Sequence, residues 1–158
     1  MVRPVLGGLI RAMRPHQWVK NLFVLVPLVF AKELANSPVV IRSVIAFFVF
    51  SFAASAVYIL NDLGDVEADR AHPKKKNRPI ASGVVSEKTA KVLFVVLVVT
   101  ALVGGFSVSP WLAAVVVAYL VLNIAYTQKL KHVAYLDVLC IATGFELRVL
   151  AGTVAAAV

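Results

Sequence analysis

The sequence is poor in charged residues. Only 15% of its 158 residues are Asp, Glu, Lys or Arg, whereas 61% are hydrophobic. Soluble globular domains average about 25% charged and about 45–50% apolar residues, and disordered chains are more polar still. The composition therefore excludes a disordered chain and argues against a soluble domain. The chain also has a single cysteine, Cys140, which excludes an intrachain disulfide.

The hydrophobic residues are collected in five segments, at about residues 18–34, 39–60, 92–108, 111–126 and 136–158. Each approaches or exceeds the roughly 17 residues that an α-helix needs to cross a hydrocarbon core about 30 Å thick. We predict an all-α polytopic membrane bundle of five transmembrane helices in a single domain, residues 1–158, with Pro27 bending the first helix. Residues 1–10 are expected to form an amphipathic helix on the membrane surface.

The basic residues predict the orientation of the bundle. The chain has 16 Lys and Arg against 8 Asp and Glu, and 13 of the 16 lie near the N-terminus, between segments two and three, or between segments four and five. Basic residues accumulate on the cytoplasmic side of a membrane, so this excess predicts topology and not a nucleic-acid partner. We predict a multi-pass protein of the cell inner membrane whose N-terminus and polar loops are cytoplasmic.

Four polar residues follow the second segment: Asn61, Asp62, Asp65 and Asp69, in a cytoplasmic loop that covers residues 61–91. If the helix continues through them, positions 61, 65 and 69 differ by about 40° per step and share one face, with Asp62 nearby. Stacked carboxylates repel unless a cation lies between them, and oxygen ligands that do not form a closed cage suit Mg²⁺ completed by phosphate oxygens. We interpret this face as a magnesium diphosphate site; a solvated acidic loop is the alternative.

A basic run follows the acidic residues and contains Lys74, Lys75, Lys76 and Arg78. Lys and Arg bind phosphate groups, and Arg does so through a bidentate fork of hydrogen bonds. Carboxylates for the metal and cations for the phosphates would together form one diphosphate site, in which Pro79 fixes the position of Arg78. The alternative is a basic anchor for anionic lipid headgroups.

Several sequence blocks resemble the UbiA superfamily of intramembrane prenyltransferases. They are the acidic spacing from Asn61 to Asp69, the Arg-Pro-Ile-Ala-Ser-Gly block at residues 78–83, and Tyr126 with the lysines that follow it. Two further blocks, at residues 14–21 and 144–152, are similar to a branch of the superfamily that transfers phosphoribosyl groups. The resemblance extends over essentially the whole chain and implies a fold of about nine helices.

The resemblance also implies roles for individual residues. Asn61, Asp65 and Asp69 correspond to the ligands of Mg²⁺ and of the donor's diphosphate, and Asp62 belongs to the same motif. Other positions correspond to phosphate-binding, acceptor-binding or cavity-lining residues: Lys20, Asn21, Arg78, Tyr126, Lys129 and Lys131. We take Asp65, Asp69 and Arg78 as the catalytic residues and add Lys76, from the basic run, as a substrate-binding residue.

The chain departs from the superfamily pattern in its latter part. After Asp69 its acidic residues are Glu87, Asp137 and Glu146, which do not form the second aspartate-rich motif that the superfamily carries. The resemblance therefore implies that the chain corresponds to the front part of such an enzyme. We expect this part alone to be inactive, because one metal-binding wall is missing.

Two ionisable residues of the last apolar segment, Asp137 and Arg148, are further candidates for the site. Ionisable groups at membrane depth are costly and normally face a polar cavity or a partner. The two residues are about three helical turns, or about 16 Å, apart, so they share a helix face but cannot pair. We predict that both face the substrate cavity; for Asp137 the alternative is contact with cytoplasmic water at the membrane edge.

The resemblance implies a transferase with Mg²⁺ as cofactor that acts at the cytoplasmic face of the membrane. In the phosphoribosyl branch the donor is phosphoribosyl diphosphate and the acceptor is a polyprenyl phosphate. One alternative is a prenyltransferase, in which the lipid carries the diphosphate and a small acceptor attacks it. The other is a non-catalytic membrane protein that binds lipid headgroups or a partner subunit.

Overall fold

The computed structural model describes residues 2–129 and 133–157, which are mostly helical and contain no β-strand. Its α-helices, in chain order, are α1 (Val2–Met13), α2 (Val26–Phe30), α3 (Ser37–Gly64), α4 (Val66–Ala71), α5 (Glu87–Val108), α6 (Pro110–Gln128) and α7 (Leu136–Ala156). Two stretches, Pro15–Leu25 and Lys75–Asn77, form 3₁₀-helices. Helix α1 confirms the helix predicted at the N-terminus.

Four helices of the described residues, α3, α5, α6 and α7, are long and apolar enough to cross a membrane. They confirm the predicted all-α multi-span architecture and lie within a few residues of four of the five predicted segments. Helix α3 has 28 residues and continues beyond its apolar segment as far as Gly64. This extension carries Asn61 and Asp62 out of the apolar core while the backbone stays helical.

The first predicted segment, residues 18–34, is not one bent α-helix, and that prediction is wrong. The chain runs as a 3₁₀-helix from Pro15 to Leu25 and then as the five-residue α2. Pro27 does not bend a helix; it lies in the first turn of α2, where the N–H that proline lacks would have no helical partner anyway. At about 2.0 Å per 3₁₀ residue and about 1.5 Å per α residue, the 16 residues from Pro15 to Phe30 extend about 30 Å.

The 3₁₀ segment is held in place by close packing on α7. A Cβ atom added at Gly152 would lie 1.9 Å from the carbonyl oxygen of Val24. No side chain fits that space, so glycine lets the backbone of α7 approach the 3₁₀ segment. This contact fixes the neighbouring Asn21 and Arg148 relative to each other.

Helix α3 forms the centre of the bundle. Its small and apolar residues, among them Ala46, Phe50 and Ala53, are fully buried against α5, α6 and α7. By contrast, one face of α5 exposes a row of valines, including Val92, Val96 and Val99, as a lipid-facing helix does. Burial of this central helix makes its polar end a rigid base for a site.

A second core fixes the loop between α4 and α5. Ile80 and Val85 of this loop are buried against Ala12 of α1 and Ile59 of α3. The next helix, α5, begins at an N-cap, where the Ser86 side chain accepts a hydrogen bond from the Thr89 N–H. The loop is therefore anchored on both sides, which brings Arg78 to the polar end of α3.

The connection between α5 and α6 is a tight turn. Helix α5 ends at Val108 and α6 begins at Pro110, so Ser109 alone separates them. The Ser109 side chain caps α6 by accepting from the Trp111 N–H, and proline is favourable at the first helical position.

Candidate functional site

The polar end of α3 continues almost unbroken into α4. Asp65 separates the two helices, but its N–H still donates to the Asn61 carbonyl, and the Asp69 N–H donates to the Asp65 carbonyl. These two hydrogen bonds, at 3.0 and 2.8 Å, keep the helical spacing through the junction. The expectation that the helical path runs on through the acidic residues is thus met in its backbone.

Two arginines bind the buried carboxylates of this segment. The Arg14 Nη2 donates to Asp62 Oδ1 at 2.8 Å, and the Arg78 Nη1 donates to Asp62 Oδ1 at 3.2 Å and to Asp69 Oδ2 at 2.9 Å. Asp62 and Asp69 are almost completely buried, so water cannot solvate their carboxylates. The two arginines of this four-residue cluster neutralise the carboxylate charges instead. Loss of one partner from a buried ion pair typically costs about 3–5 kcal/mol.

The acidic residues do not all share one face, which corrects the expectation from their spacing. Asp62 and Asp69 are seven residues apart, differ by only about 20° around the helix, and both face Arg78. Asn61 is turned about 100° from Asp62, and its Oδ1 accepts from the Thr127 Oγ1 of α6 at 2.6 Å. The end of α3 therefore presents an amide to one side and an ion-paired carboxylate to the other.

Asn61 lines a cavity of about 230 Å³ in the middle of the bundle, which we call the central cavity. Its cationic and aromatic lining residues are Lys20, Tyr58, Tyr119, Tyr126, Phe145 and Arg148. None of the described residues that line it is acidic. The central cavity is thus a positively charged space with aromatic walls.

Arg148 is a buried cation in the wall of the central cavity. Its Nε donates to Asn21 Oδ1 at 2.8 Å, and its guanidinium lies 5.3 Å from the ring centre of Tyr119 and 5.2 Å from that of Phe145. Within residues 2–129 and 133–157, no carboxylate pairs with it. Arg148 lies 12 residues into α7, about 18 Å along the helix axis from its beginning.

Asn21 holds Arg148 through a second hydrogen bond into the core. Its Nδ2 donates to the Ser51 Oγ of α3 at 3.1 Å, which turns its Oδ1 toward Arg148. Asn21 is itself buried, with 1% of its surface exposed. The side chain therefore orients the arginine and does not line the cavity itself.

The remaining predicted site residues lie at different distances from the central cavity. Tyr126 lines it and donates from its hydroxyl to Asp137 Oδ1 at 2.5 Å. Asp137 itself is not among the residues that line the cavity and contacts it only through Tyr126, which corrects the prediction that its side chain faces the cavity. Lys76 and Lys129 are exposed and line neither the central cavity nor the larger one beside α1. Lys131 lies outside the described residues.

The oxygen donors at the end of α3 fit a magnesium ion shared with a substrate. Among the residues that the structure describes, no three Asp, Glu, His or Cys side chains converge to hold a metal by themselves. In the same residues, however, no hydrogen bond or ion pair engages the half-buried Asp65 carboxylate, one turn beyond Asn61. Magnesium is usually held by one or two carboxylates together with substrate phosphates and water, which this arrangement can supply.

Sequence reasoning missed three residues of the site. Arg14 was counted as a topological charge and as part of the block at residues 14–21 but not as a site residue, although its pairing with Asp62 joins α1 to α3. Tyr58 and Tyr119 line the central cavity. Both lie in helices whose other residues are mostly apolar, as is typical of contacts with lipid or with the protein core. A tyrosine one turn before Asn61 in an apolar helix is a signal that could have indicated Tyr58.

These features define a class of protein: a multi-pass helical membrane protein whose cations and oxygen ligands meet at one end of the bundle. The chain belongs to the UbiA prenyltransferase family, whose model matches residues 21–158.

Two curated relatives and one solved structure define the similarity further. Decaprenyl-phosphate phosphoribosyltransferase from Mycobacterium tuberculosis is 44% identical over 155 residues, covering 96% of this chain and 51% of its own. The protein of the same name from Mycolicibacterium smegmatis is 45% identical over 156 residues, covering 96% and 49%. The chain thus spans about half the length of these relatives.

The solved structure is that of a UbiA homolog from Archaeoglobus fulgidus bound to DMAPP and Mg²⁺. It superposes with a TM-score of 0.80 at 18% identity and covers 95% of this chain and 55% of its own. At this identity the likeness establishes the common fold.

Proposed function

We propose that the protein takes part in Mg²⁺-dependent transfer of a phosphoribosyl group from phosphoribosyl diphosphate to a polyprenyl phosphate. One observation carries this proposal: the cavity that contains Asn61 also contains Lys20 and Arg148, and none of its described lining residues is acidic. Such a cavity is suited to anionic reactants, and in this reaction both the donor and the acceptor carry phosphate. The identity of 44% to 45% with two phosphoribosyltransferases supports the choice of donor.

Different residues of the chain would bind the metal, bind the phosphate groups and hold other side chains in position. Asn61, Asp65 and, from the same segment, Asp69 would hold Mg²⁺ together with the donor diphosphate. Bound Mg²⁺ would supply positive charge that stabilises the departing diphosphate. Arg78 would act on this segment through Asp62 and Asp69, whose carboxylates it holds in place.

The transfer itself needs no general base. The bond between C1 of the ribose and the diphosphate oxygen breaks, diphosphate leaves, and a lipid phosphate oxygen forms the new bond to C1. That oxygen is already ionised near neutral pH, which agrees with a described central cavity that contains no histidine. Lys20 and Arg148 would place the two anionic reactants side by side, a role that lowers the entropic cost of the reaction.

The donor is tested with membranes from cells that express a full-length form of the enzyme, since we expect this part alone to be inactive. We expect Mg²⁺-dependent consumption of phosphoribosyl diphosphate with release of inorganic diphosphate and formation of a ribosylated lipid. Membranes with Arg78→Ala serve as the control for background turnover. If the membranes consume polyprenyl diphosphate and ignore phosphoribosyl diphosphate, the proposal is wrong and the prenyltransferase alternative stands.

We further propose that the site faces the cytoplasm across a cell inner membrane. The support is that α1 and the loop after α4, both rich in basic residues, meet at the polar end of α3. In a Cys140→Ser background, Lys75→Cys should react with a membrane-impermeant thiol reagent only from the cytoplasmic side. Ser107→Cys, at the opposite end, should react only from outside; the reverse pattern would contradict the orientation.

A further inference from the structure

A second and larger cavity lies beside α1, on the other side of the α3 end from the central cavity. It has a volume of about 520 Å³ and lies between the end of α1 and the loop after α4; we call it the α1 cavity. Its polar lining includes Arg11, Arg14, Lys74 and Arg78, and Asp62 is its acidic residue among those described. The reaction proposed above leaves this cavity without a ligand.

The α1 cavity has more positive charge than its carboxylates neutralise. Four cations line it, whereas the two carboxylates that contact them are Asp62 and Asp69. The arginines also have unused hydrogen-bond donors. In the hydrogen bonds of the described residues, Arg78 donates only from Nη1 and Arg14 only from Nη2. Arginine has five N–H donors in a planar fork, so the remaining ones suit the oxygens of a phosphate group.

The backbone holds Arg14 at this cavity in a conformation that a non-glycine residue rarely adopts. Its φ of 51° and ψ of 58° lie in the left-handed region, which costs about 1–2 kcal/mol for an L-residue with a side chain. The guanidinium is fixed from two sides, by Asp62 and by the ring of Tyr58 at 5.0 Å. The surroundings therefore impose this position on Arg14 despite its cost.

Helix α1 places the mouth of the cavity at the membrane surface. Val5, Leu6 and Ile10 are exposed on α1, and Ile10 also lines the cavity. An amphipathic helix with exposed apolar residues and basic neighbours lies in the plane of the lipid headgroups. The basic lining of the α1 cavity is then at the depth where phosphate groups of the bilayer occur.

We propose that the α1 cavity binds the phosphate group of an anionic phospholipid headgroup. Arg11 and Lys74 provide the outer cations, and Arg14 and Arg78 provide the inner ones, with their free N–H groups turned to the phosphate. Because Arg14 and Arg78 also bind Asp62, the lipid phosphate is linked to the acidic end of α3 through two side chains. This inference concerns lipid binding and does not require the proposed transfer reaction.

The test compares two charge-matched double variants of the purified 158-residue protein. Arg11→Ala with Lys74→Ala removes the two exposed outer cations, and Lys88→Ala with Lys91→Ala removes two exposed lysines of α5 that do not line the cavity. Each protein is reconstituted in phosphatidylcholine with a minor fraction of phosphatidylglycerol, and native mass spectrometry measures retained phosphatidylglycerol. We expect retention by the parent and the α5 variant, and binding about thirtyfold weaker in the cavity variant, at about 1 kcal/mol per basic residue.

A soluble phosphate source is separated from the lipid by a second arm. In pure phosphatidylcholine, inorganic phosphate is titrated against the same three proteins. Binding that only the cavity variant loses supports the same phosphate site with a soluble ligand as its source. The proposal is overturned if the parent prefers neither phosphatidylglycerol nor inorganic phosphate, or if the two double variants lose binding equally.

Discussion

Asp65→Asn is expected to reduce Mg²⁺-dependent turnover by about 10²- to 10³-fold in membranes from cells that express a full-length form of the enzyme, while the protein stays folded. This corresponds to about 2.7–4 kcal/mol of barrier, the range seen when one preorganised electrostatic contact to the transition state is lost. Asp65 is the most informative position for this test because its carboxylate has no protein partner in the described residues, so a loss of turnover cannot come from a broken ion pair. Its amide analogue binds metal weakly but disturbs no ion pair.

Glu67→Gln is the matched control for that variant. Glu67 lies two residues further along, carries the same charge, and has 92% of its side chain exposed. It should retain turnover, because an exposed ion pair with Arg70 contributes little to stability. Turnover of Asp65→Asn within about threefold of the parent, less than 1 kcal/mol of barrier, would contradict the role of Asp65.

Arg148→Met is expected to lower kcat/KM by about 30- to 100-fold, or about 2–3 kcal/mol, the value of a hydrogen bond to a charged group. The guanidinium has no carboxylate partner among the described residues, and it lines a cavity whose described residues include no acidic one. We therefore propose that the substrate supplies the anion that pairs with it. Methionine has a similar length and no buried charge to desolvate. The variant should therefore remain folded.

Asn21→Asp separates a substrate-binding role of Arg148 from a structural one. The new carboxylate would stand where Asn21 Oδ1 now accepts from Arg148 Nε at 2.8 Å. If Arg148 only stabilises the bundle, this variant gains an ion pair and leaves KM unchanged. If Arg148 binds a substrate phosphate, the carboxylate competes for it, and we expect KM to rise about tenfold or more at equal thermal stability. An unchanged KM in both variants would contradict the assignment.

Helix positions followed from local patterns, and the exception has a distant cause that local hydrophobicity does not reveal. Segments 39–60 and 92–108 became α3 and α5 because each is a long apolar run, and Ser86 and Ser109 mark helix beginnings by capping. The first segment is also largely apolar, yet it forms a 3₁₀-helix before Pro27. Its path is set by packing on Gly152, which lies more than 120 residues away and leaves no signal in the segment itself.

The site was predictable in its residue types and only partly in its geometry. The spacing of Asn61, Asp65 and Asp69 indicated a continued helical path, and the backbone follows it. The opposite directions of Asn61 and Asp62 depend on Thr127 and Arg78, which reach them from other elements. Such contacts between distant residues arise from packing, so a single sequence indicates the donors and not their partners.

The central claim is that the end of α3 forms a metal site completed by a diphosphate, and Mn²⁺ binding tests it most directly. The purified protein is titrated with Mn²⁺ in place of Mg²⁺, with and without inorganic diphosphate, and bound Mn²⁺ is measured by electron paramagnetic resonance. We predict diphosphate-dependent binding by the parent and by Glu67→Gln, and its loss in Asp65→Asn. Equal binding by Asp65→Asn and the parent, or binding that diphosphate does not change, would contradict the account.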